Sequence, residues 1–208
     1  MKINKPKIKI YEEKSFDECE LSENIYNTQI ESNNKKLVLS NITIDSCIIK
    51  NISFQNIMLE NVDLIDVTFE NCDLSNTFFD NQFITRVEFI NCKLSGISFI
   101  NATLKDVLIN DSNFSLANLT DTTVCNVLIK DTDMHESYID HANIKDLYFD
   151  KVKFNGTEFI HTNLFGIDFT TSDISGIRMD SYSMKQIKVN SFQCRDLIGI
   201  LGVIVVDE

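Results

Sequence analysis

Proline occurs once in the 208 residues, at Pro6, tryptophan never, and glycine only six times. With 43% hydrophobic residues the chain can bury a core, so disorder along its whole length is excluded. No apolar run is long enough to span a membrane. The first residues, MKINKPKIKIYEEK, are basic but lack the apolar stretch of a signal peptide, so a cytoplasmic protein without membrane contact is expected. Basic residues are outnumbered 19 to 31, and the net charge of −12 excludes direct nucleic-acid binding, because phosphate would be repelled. The six cysteines (Cys19, Cys47, Cys72, Cys92, Cys125 and Cys194) include no CxxC pair. They therefore read as buried free thiols acting as small hydrophobes, not as a zinc site. A nucleophile elbow, a P-loop and an HExxH motif are all missing, so neither catalysis nor a cofactor is expected.

The ordinary periods are missing too. Residues 69–89, FENCDLSNTFFDNQFITRVEF, show neither the 3.6-residue repeat of an amphipathic helix nor the two-residue alternation of a strand. Phe69, Leu74, Phe79, Ile84 and Phe89 are instead spaced by five. The same step runs from Leu39 to Met184 through thirty centres, all of them apolar. At the chain's background composition, chance would give this about once in 10¹¹ trials. Two positions before each centre the residue is small or aliphatic, with Gln82 and Tyr182 out of character. Two positions after it stands a polar residue or glycine, Leu116 alone excepted, and ten of the thirty are Asn. Two inward and three outward residues per five describe a continuous solenoid. Asn and Gly tolerate turn conformations that β-branched residues resist, so each pentad reads as a short side followed by a corner.

The position just before the centre is apolar at Val38, Ile48, Met58, Phe78, Phe83, Leu108, Leu128, Tyr138 and Tyr148, and eight of these nine fall on alternate pentads. Alternate sides thus look alike, which makes the number of sides even. Two sides would leave no interior. Four is the smallest number that works, and it gives twenty residues per coil.

The units CDLSN (72–76), CKLSG (92–96), ANLTD (117–121) and TNLFG (162–166) resemble the A(D/N)LXX consensus of pentapeptide-repeat proteins. The resemblance implies an all-β fold, a right-handed quadrilateral β-helix with four pentads per coil. Thirty pentads make seven and a half coils, a rise of roughly 36 Å at about 4.8 Å per coil.

Both ends leave the frame. Residues 1–36 read as an N-terminal cap in which CELSE (19–23) and TQIES (28–32) are degenerate, out-of-phase pentads and NNKK (33–36) resets the phase. The cap covers a coil edge that would otherwise invite aggregation. Residues 37–184 form the rod. In residues 185–208, Asn190 or Ser191 can cap a short helix, Gly202 breaks it, and VIVV (203–206) is β-forming. QCRDLIGILGVIV (193–205) resembles the helix-and-strand ending of Qnr-like, topoisomerase-interacting pentapeptide-repeat proteins. That ending implies a homodimer joined through Phe192, Leu197, Ile198, Leu201, Val203 and Val205.

The two ends are each electrically neutral, so the whole −12 lies on the rod. The side whose centres descend from Leu39 carries Glu60, Asp80, Asp121, Asp140, Glu158 and Asp180 against Arg178 alone. It is the most acidic of the four. On that side His141 and His161 share one corner column with Asp121, but a flat column converges poorly on one ion, and no metal is expected. Solubility alone accounts for an acidic surface, but a rod of duplex-like width with negative charge along its length also suits a decoy for DNA-binding proteins. The Qnr-like resemblance implies DNA gyrase or topoisomerase IV as partner, with protection from quinolones or another gyrase poison as the outcome. Larger Qnr-like members carry loops that interrupt the coils, whereas this frame runs unbroken from Leu39 to Met184. The other reading is an interaction scaffold unrelated to topoisomerase, docking through Leu108, Leu128 and Tyr148.

Overall fold

Parallel pairing twenty residues apart dominates the computed structural model, which describes residues 3–19, 24–204 and 206. Of CELSE only Cys19 lies among them, and Val205 lies outside. The N-terminal strands are β1 (Glu12–Ser15), β2 (Ile25–Tyr26) and β3 (Thr28–Ser32). Two long strands follow, β4 (Leu37–Lys50) and β5 (Ile57–Glu70). Then come β6 (Phe83–Ile90), β7 (Thr103–Asn110), β8 (Thr123–Lys130), β9 (Tyr138–Asp140), β10 (Asn143–Asp150), β11 (Glu158–Ile160), β12 (Arg178–Met179) and the helix α1 (Cys194–Ile200). Leu39 pairs with Leu59, Ile84 with Leu104, and Phe159 with Met179. The chain is a four-sided parallel β-solenoid with twenty residues per coil.

The corners carry the turn. Every position two after a centre, from Asn41 to Gln186, has φ between 46° and 79° except Asn56, Thr171 and Ser181. A left-handed residue bends the chain inward after each short side, and Asn, Asp and Gly adopt that conformation at least cost. Asn side chains also ladder between coils: Asn61 Nδ2 donates to Asn41 Oδ1 at 2.9 Å and Asn101 Nδ2 to Asn81 Oδ1 at 2.8 Å. Leu116 adopts the same conformation, φ 56°, with its side chain half exposed.

The sides are not alike in the way the alternate apolar residues suggested. Two adjacent sides, centred on the Ile44 and Ile49 columns, form one continuous sheet in the order β4-β5-β6-β7-β8-β10. The side centred on the Phe54 column is held by isolated bridges from Ser53–Asp73 up to Lys153–Asp173. The Leu39 side carries short strands and bridges, with β9, β11 and β12 at its upper end. Adjacent sides therefore share a backbone form. The alternating apolar residues point outward on opposite sides, so they report surface chemistry and not backbone type.

The interior is filled by two ladders per side. Of the thirty centres only Leu59, Ile144 and Met184 are merely partly buried; the others lie in one contiguous core. Phe69 stacks on Phe89 with ring centroids 5.1 Å apart, and Phe79 on Phe99 at 5.7 Å. The second ladder, two residues earlier, is where Cys, Ser and Thr serve one purpose. Cys72 Sγ donates to Ile49 O at 3.4 Å, Thr122 Oγ1 to Phe99 O at 2.7 Å and Ser137 Oγ to Phe114 O at 2.9 Å, each twenty-three residues back. A small donor there satisfies a carbonyl of the coil below while filling the wall. Burial pushes the Cys47 thiol up to about 11, so it stays a neutral donor. Cys47, Cys72 and Cys92 are buried as expected, whereas Cys19 and Cys125 are only half-buried and Cys194 is exposed on α1.

The two residues out of character have separate outcomes. Gln82 stays in frame, half-buried, and turns back to donate to Asp80 O at 2.9 Å. At Tyr182 the frame slips. Tyr182 is exposed, Ser183 is buried in its place, and Ser183 Oγ accepts from Thr162 N twenty-one residues below. The chain is back in phase by Lys188, which bridges Asp168. The frame expected to run unbroken up to Met184 is therefore displaced by one residue at Ser183 and restored by Gln186, whose carbonyl accepts from Gly166 N twenty residues below, because a bulky phenol does not fit the narrow wall column.

At the lower end, β2 and β3 pair with β4 nineteen residues on, one residue out of phase with the main frame. Phe16, fully buried, closes the bottom of the core edge-on to Phe54 at 5.9 Å. Residues 3–10 do something else. They climb the outside of the rod as an extended strap. At the upper end, Gln193 Nε2 donates to Phe169 O and Ser172 O at 2.8 and 2.7 Å, satisfying last-coil carbonyls. Asn190 Oδ1 accepts from the backbone N–H groups of Phe192 and Gln193 and so caps the turn into α1. Gly202, φ 76°, ends the helical segment. Val203, Ile204 and Val206 form no strand.

Candidate functional site

The acidic side is built on the Leu39 column, and its carboxylates divide by how they are held. Glu60 and Asp121 are exposed. Asp80 Oδ1 accepts from Ile100 N at 2.9 Å and from Ser98 Oγ at 2.5 Å, so it caps the next coil. Asp180 accepts from Ser183 N at 2.7 Å and His161 N at 2.9 Å. Glu158 Oε1 is ion-paired with Arg178 at 2.6 Å. Asp140 Oδ1 lies 2.9 Å from His141 Nδ1 and 3.0 Å from His161 Nδ1. Partial burial would raise the Asp140 carboxyl, but the two imidazoles outweigh it and hold it below the usual carboxylate range. Asp180 is likewise lowered, its backbone donors outweighing desolvation. Of the six carboxylates, only those of Glu60 and Asp121 make no hydrogen bond or ion pair among the described residues.

A second charged column was missed in the sequence. At the corner after the Ile44 side stand Asp66, Arg86, Asp106 and Asn126, stacked twenty residues apart. Asp66 and Asp106 are both buried. Arg86 grips Asp66 through two 2.6 Å hydrogen bonds. Lys7 N donates to Asp66 Oδ1 at 2.8 Å, while Asn4 Nδ2 at 3.0 Å and Asn126 Nδ2 both donate to Asp106 Oδ1. Burial opposes ionisation at both carboxyls, but their donors prevail and both are held below the usual range. The N-terminal strap is thereby fastened across two coils. The available signal was an Arg interrupting a corner column of Asp.

Exposed apolar side chains gather in two places, with Phe83, Leu116 and Phe165 exposed singly elsewhere. Val38, Met58 and Phe78 form one outward column, 45, 54 and 63% exposed. The stack proposed from sequence, Leu108, Leu128 and Tyr148, is in register but only Tyr148 is exposed. The other patch is C-terminal. Phe192, Leu201 and Val203 are exposed, as is Ile204, while Ile198 is marginally so. Leu197 turns toward its own rod and packs on the core.

Among the described residues no helix is long and apolar enough to cross a membrane. No curated protein matches the chain. Solved structures do. Two trypsin-treated forms of QnrB1, a plasmid-mediated fluoroquinolone resistance protein, superpose at TM-scores of 0.51 and 0.50 with 19% and 20% identity, each alignment covering 96% of this chain and 97% of the other. HetL, a pentapeptide-repeat protein involved in heterocyst differentiation regulation from the cyanobacterium Nostoc sp. strain PCC 7120, aligns over 88% of this chain and 90% of its own at 14% identity and a TM-score of 0.29. At 19–20% identity the likeness to QnrB1 is one of fold. The sequence profile described as a pentapeptide repeat region matches residues 62–139 and 82–159, and the one described as pentapeptide repeats in eight copies matches residues 39–81. Together they span more than half of the chain, which belongs to the pentapeptide-repeat family.

Proposed function

We propose that the chain is a non-enzymatic rod that binds a DNA-handling protein by presenting duplex-like negative charge. The partner class implied by the Qnr-like resemblance is DNA gyrase or topoisomerase IV, and the outcome is protection from quinolones or another gyrase poison. The observation that carries this reading is that residues 37–184, the repeat segment, hold the whole net −12, against which the strap sets only Lys5, Lys7 and Lys9. Over roughly 36 Å that is one net charge per ~3 Å, about half the axial density of B-DNA. The exposed Phe192, Leu201 and Val203 support a tail-to-tail homodimer that doubles the length of the charged object.

The test is gyrase supercoiling with and without the protein and ciprofloxacin, together with direct binding at several salt concentrations. Binding should weaken steeply with salt, and duplex DNA should compete. Glu60→Lys with Asp121→Lys should abolish binding. Asp111→Lys with Asp146→Lys, exposed on other sides, makes the same change in total charge and should cost less. Equal effects of the two pairs, or salt-indifferent binding, would refute mimicry. Leu201→Glu should leave the rod folded and give a monomer by light scattering.

A second reading, an interaction scaffold unrelated to topoisomerase, is favoured by the Val38–Met58–Phe78 column. It is supported if gyrase binding is absent and Met58→Lys instead removes association with another protein.

A further inference from the structure

Asp140, His141 and His161 converge where the flat column of corner residues alone would not. His141 and His161 occupy left-handed corners, φ 52° and 49°, on successive coils. Stacking brings their rings to 4.5 Å between centroids. Asp140 is not in that column. It precedes His141 on the side itself, in register with Ile160, and its carboxylate reaches across to both rings. Oδ1 stands 2.9 Å from one Nδ1 and 3.0 Å from the other, and the three donor atoms all lie within 4.8 Å of one another.

We propose that this trio is a binding site for one divalent transition-metal ion of the zinc, cobalt or nickel class, clipping two neighbouring coils together. Zinc holds nitrogen and oxygen donors at ~2.0–2.2 Å, so neighbouring donors in a tetrahedron stand ~3.3 Å apart. The two Nδ1–Oδ1 separations are within a few tenths of an ångström of that edge. Two imidazoles and one carboxylate suit borderline ions, whereas a single carboxylate is too few oxygen donors for calcium or magnesium. On binding, the two Nδ1···Oδ1 contacts give way to metal bonds and each neutral ring carries its proton on Nε2. The side chains are exposed or half-exposed, so the remaining coordination position faces solvent and stays open to water or to a ligand from another protein. Asp180 Oδ2 accepts from the His161 backbone N–H at 2.9 Å and so holds the corner from which that ring projects.

The experiment is a zinc titration of the tag-free full-length chain against a chromophoric chelator, with cobalt absorption as a second readout. One equivalent should bind per chain, and it should raise the melting temperature, because the ion binds only where two coils are stacked. His141→Asn, His161→Asn and Asp140→Asn should each weaken binding at least about tenfold. Asn suits these two corners, since Asn41, Asn61, Asn81 and Asn101 already occupy the same column, so the histidine variants test ligation and not folding. His135→Asn, at a histidine paired with Asp133 alone, should change nothing. Absence of saturable binding by the wild-type chain, or binding that survives His141→Asn with His161→Asn, overturns the proposal.

Discussion

Phe78 and Phe79 are consecutive and chemically identical, and the five-residue frame assigns them opposite fates. Phe79 is fully buried and stacks on Phe99 at 5.7 Å, whereas Phe78 is 63% exposed. Replacing a fully buried phenylalanine by alanine costs about 3–5 kcal/mol, the sum of lost transfer energy and the cavity left behind. A solenoid coil has little freedom to collapse into that cavity, since its walls are fixed by hydrogen bonds to the coils on either side. For a chain of this length 1 kcal/mol shifts the melting temperature by about 2–4 °C, so Phe79→Ala should lower it by roughly 6–20 °C. Full burial of such a ring is worth about 1.5–3 kcal/mol, and Phe78 is only about one-third covered, so Phe78→Ala should cost no more than roughly 1 kcal/mol. Thermal melts followed by far-ultraviolet circular dichroism distinguish the two. Equal losses, or a larger loss at Phe78, would show that the inward and outward positions have been exchanged.

Three further outcomes are expected. Leu116 holds a left-handed conformation that costs a β-carbon-bearing residue about 1–2 kcal/mol, and its side chain is half exposed, so Leu116→Asn should stabilise the rod; a lower melting temperature would mean that the leucine makes a compensating contact. Burial opposes ionisation of Asp66, but Arg86 and the Lys7 N–H hold its carboxyl below the usual range. Its contribution is therefore complete above the unfolded value of about 3.9 and is lost as pH falls through the folded one. The stability gap between wild type and Asp66→Asn, read from denaturant midpoints, should shrink below about pH 4, and a gap that widens on acidification contradicts this assignment. Removing residues 1–10 should speed hydrogen exchange along the Asp66–Asp106 corner and leave exchange on the Phe54 side unchanged; uniform loss of protection would show that the strap supports the whole rod.

The five-residue spacing was sufficient, by itself, to fix which residues face the core and where the corners fall; the count of four sides came from the resemblance to pentapeptide-repeat proteins, and the twenty-residue pairing bears it out. Core-facing positions and corners are local. A side of three residues and a left-handed corner repeat within five positions, and side-chain size and turn preference encode them directly. Even the two residues that broke the pattern were visible, although not that Gln82 would fold back while Tyr182 would shift the frame by one. Contacts between coils are different. They join residues about twenty apart through the reach of particular side chains, and no sequence period reports that reach. Hence Asp140 was read as one acid in a row, and only stacking placed it against both His141 and His161. The strap is the extreme case: residues 3–10 run across the coils, outside the period altogether, and their anchors at Asp66 and Asp106 lie 59 and 102 residues away in the chain. The C-terminal apolar segment was legible as β-forming chemistry, but Val203, Ile204 and Val206 pair with no strand, because β propensity describes a residue's fit to a pleated surface and the pairing itself is a tertiary contact that propensity does not supply.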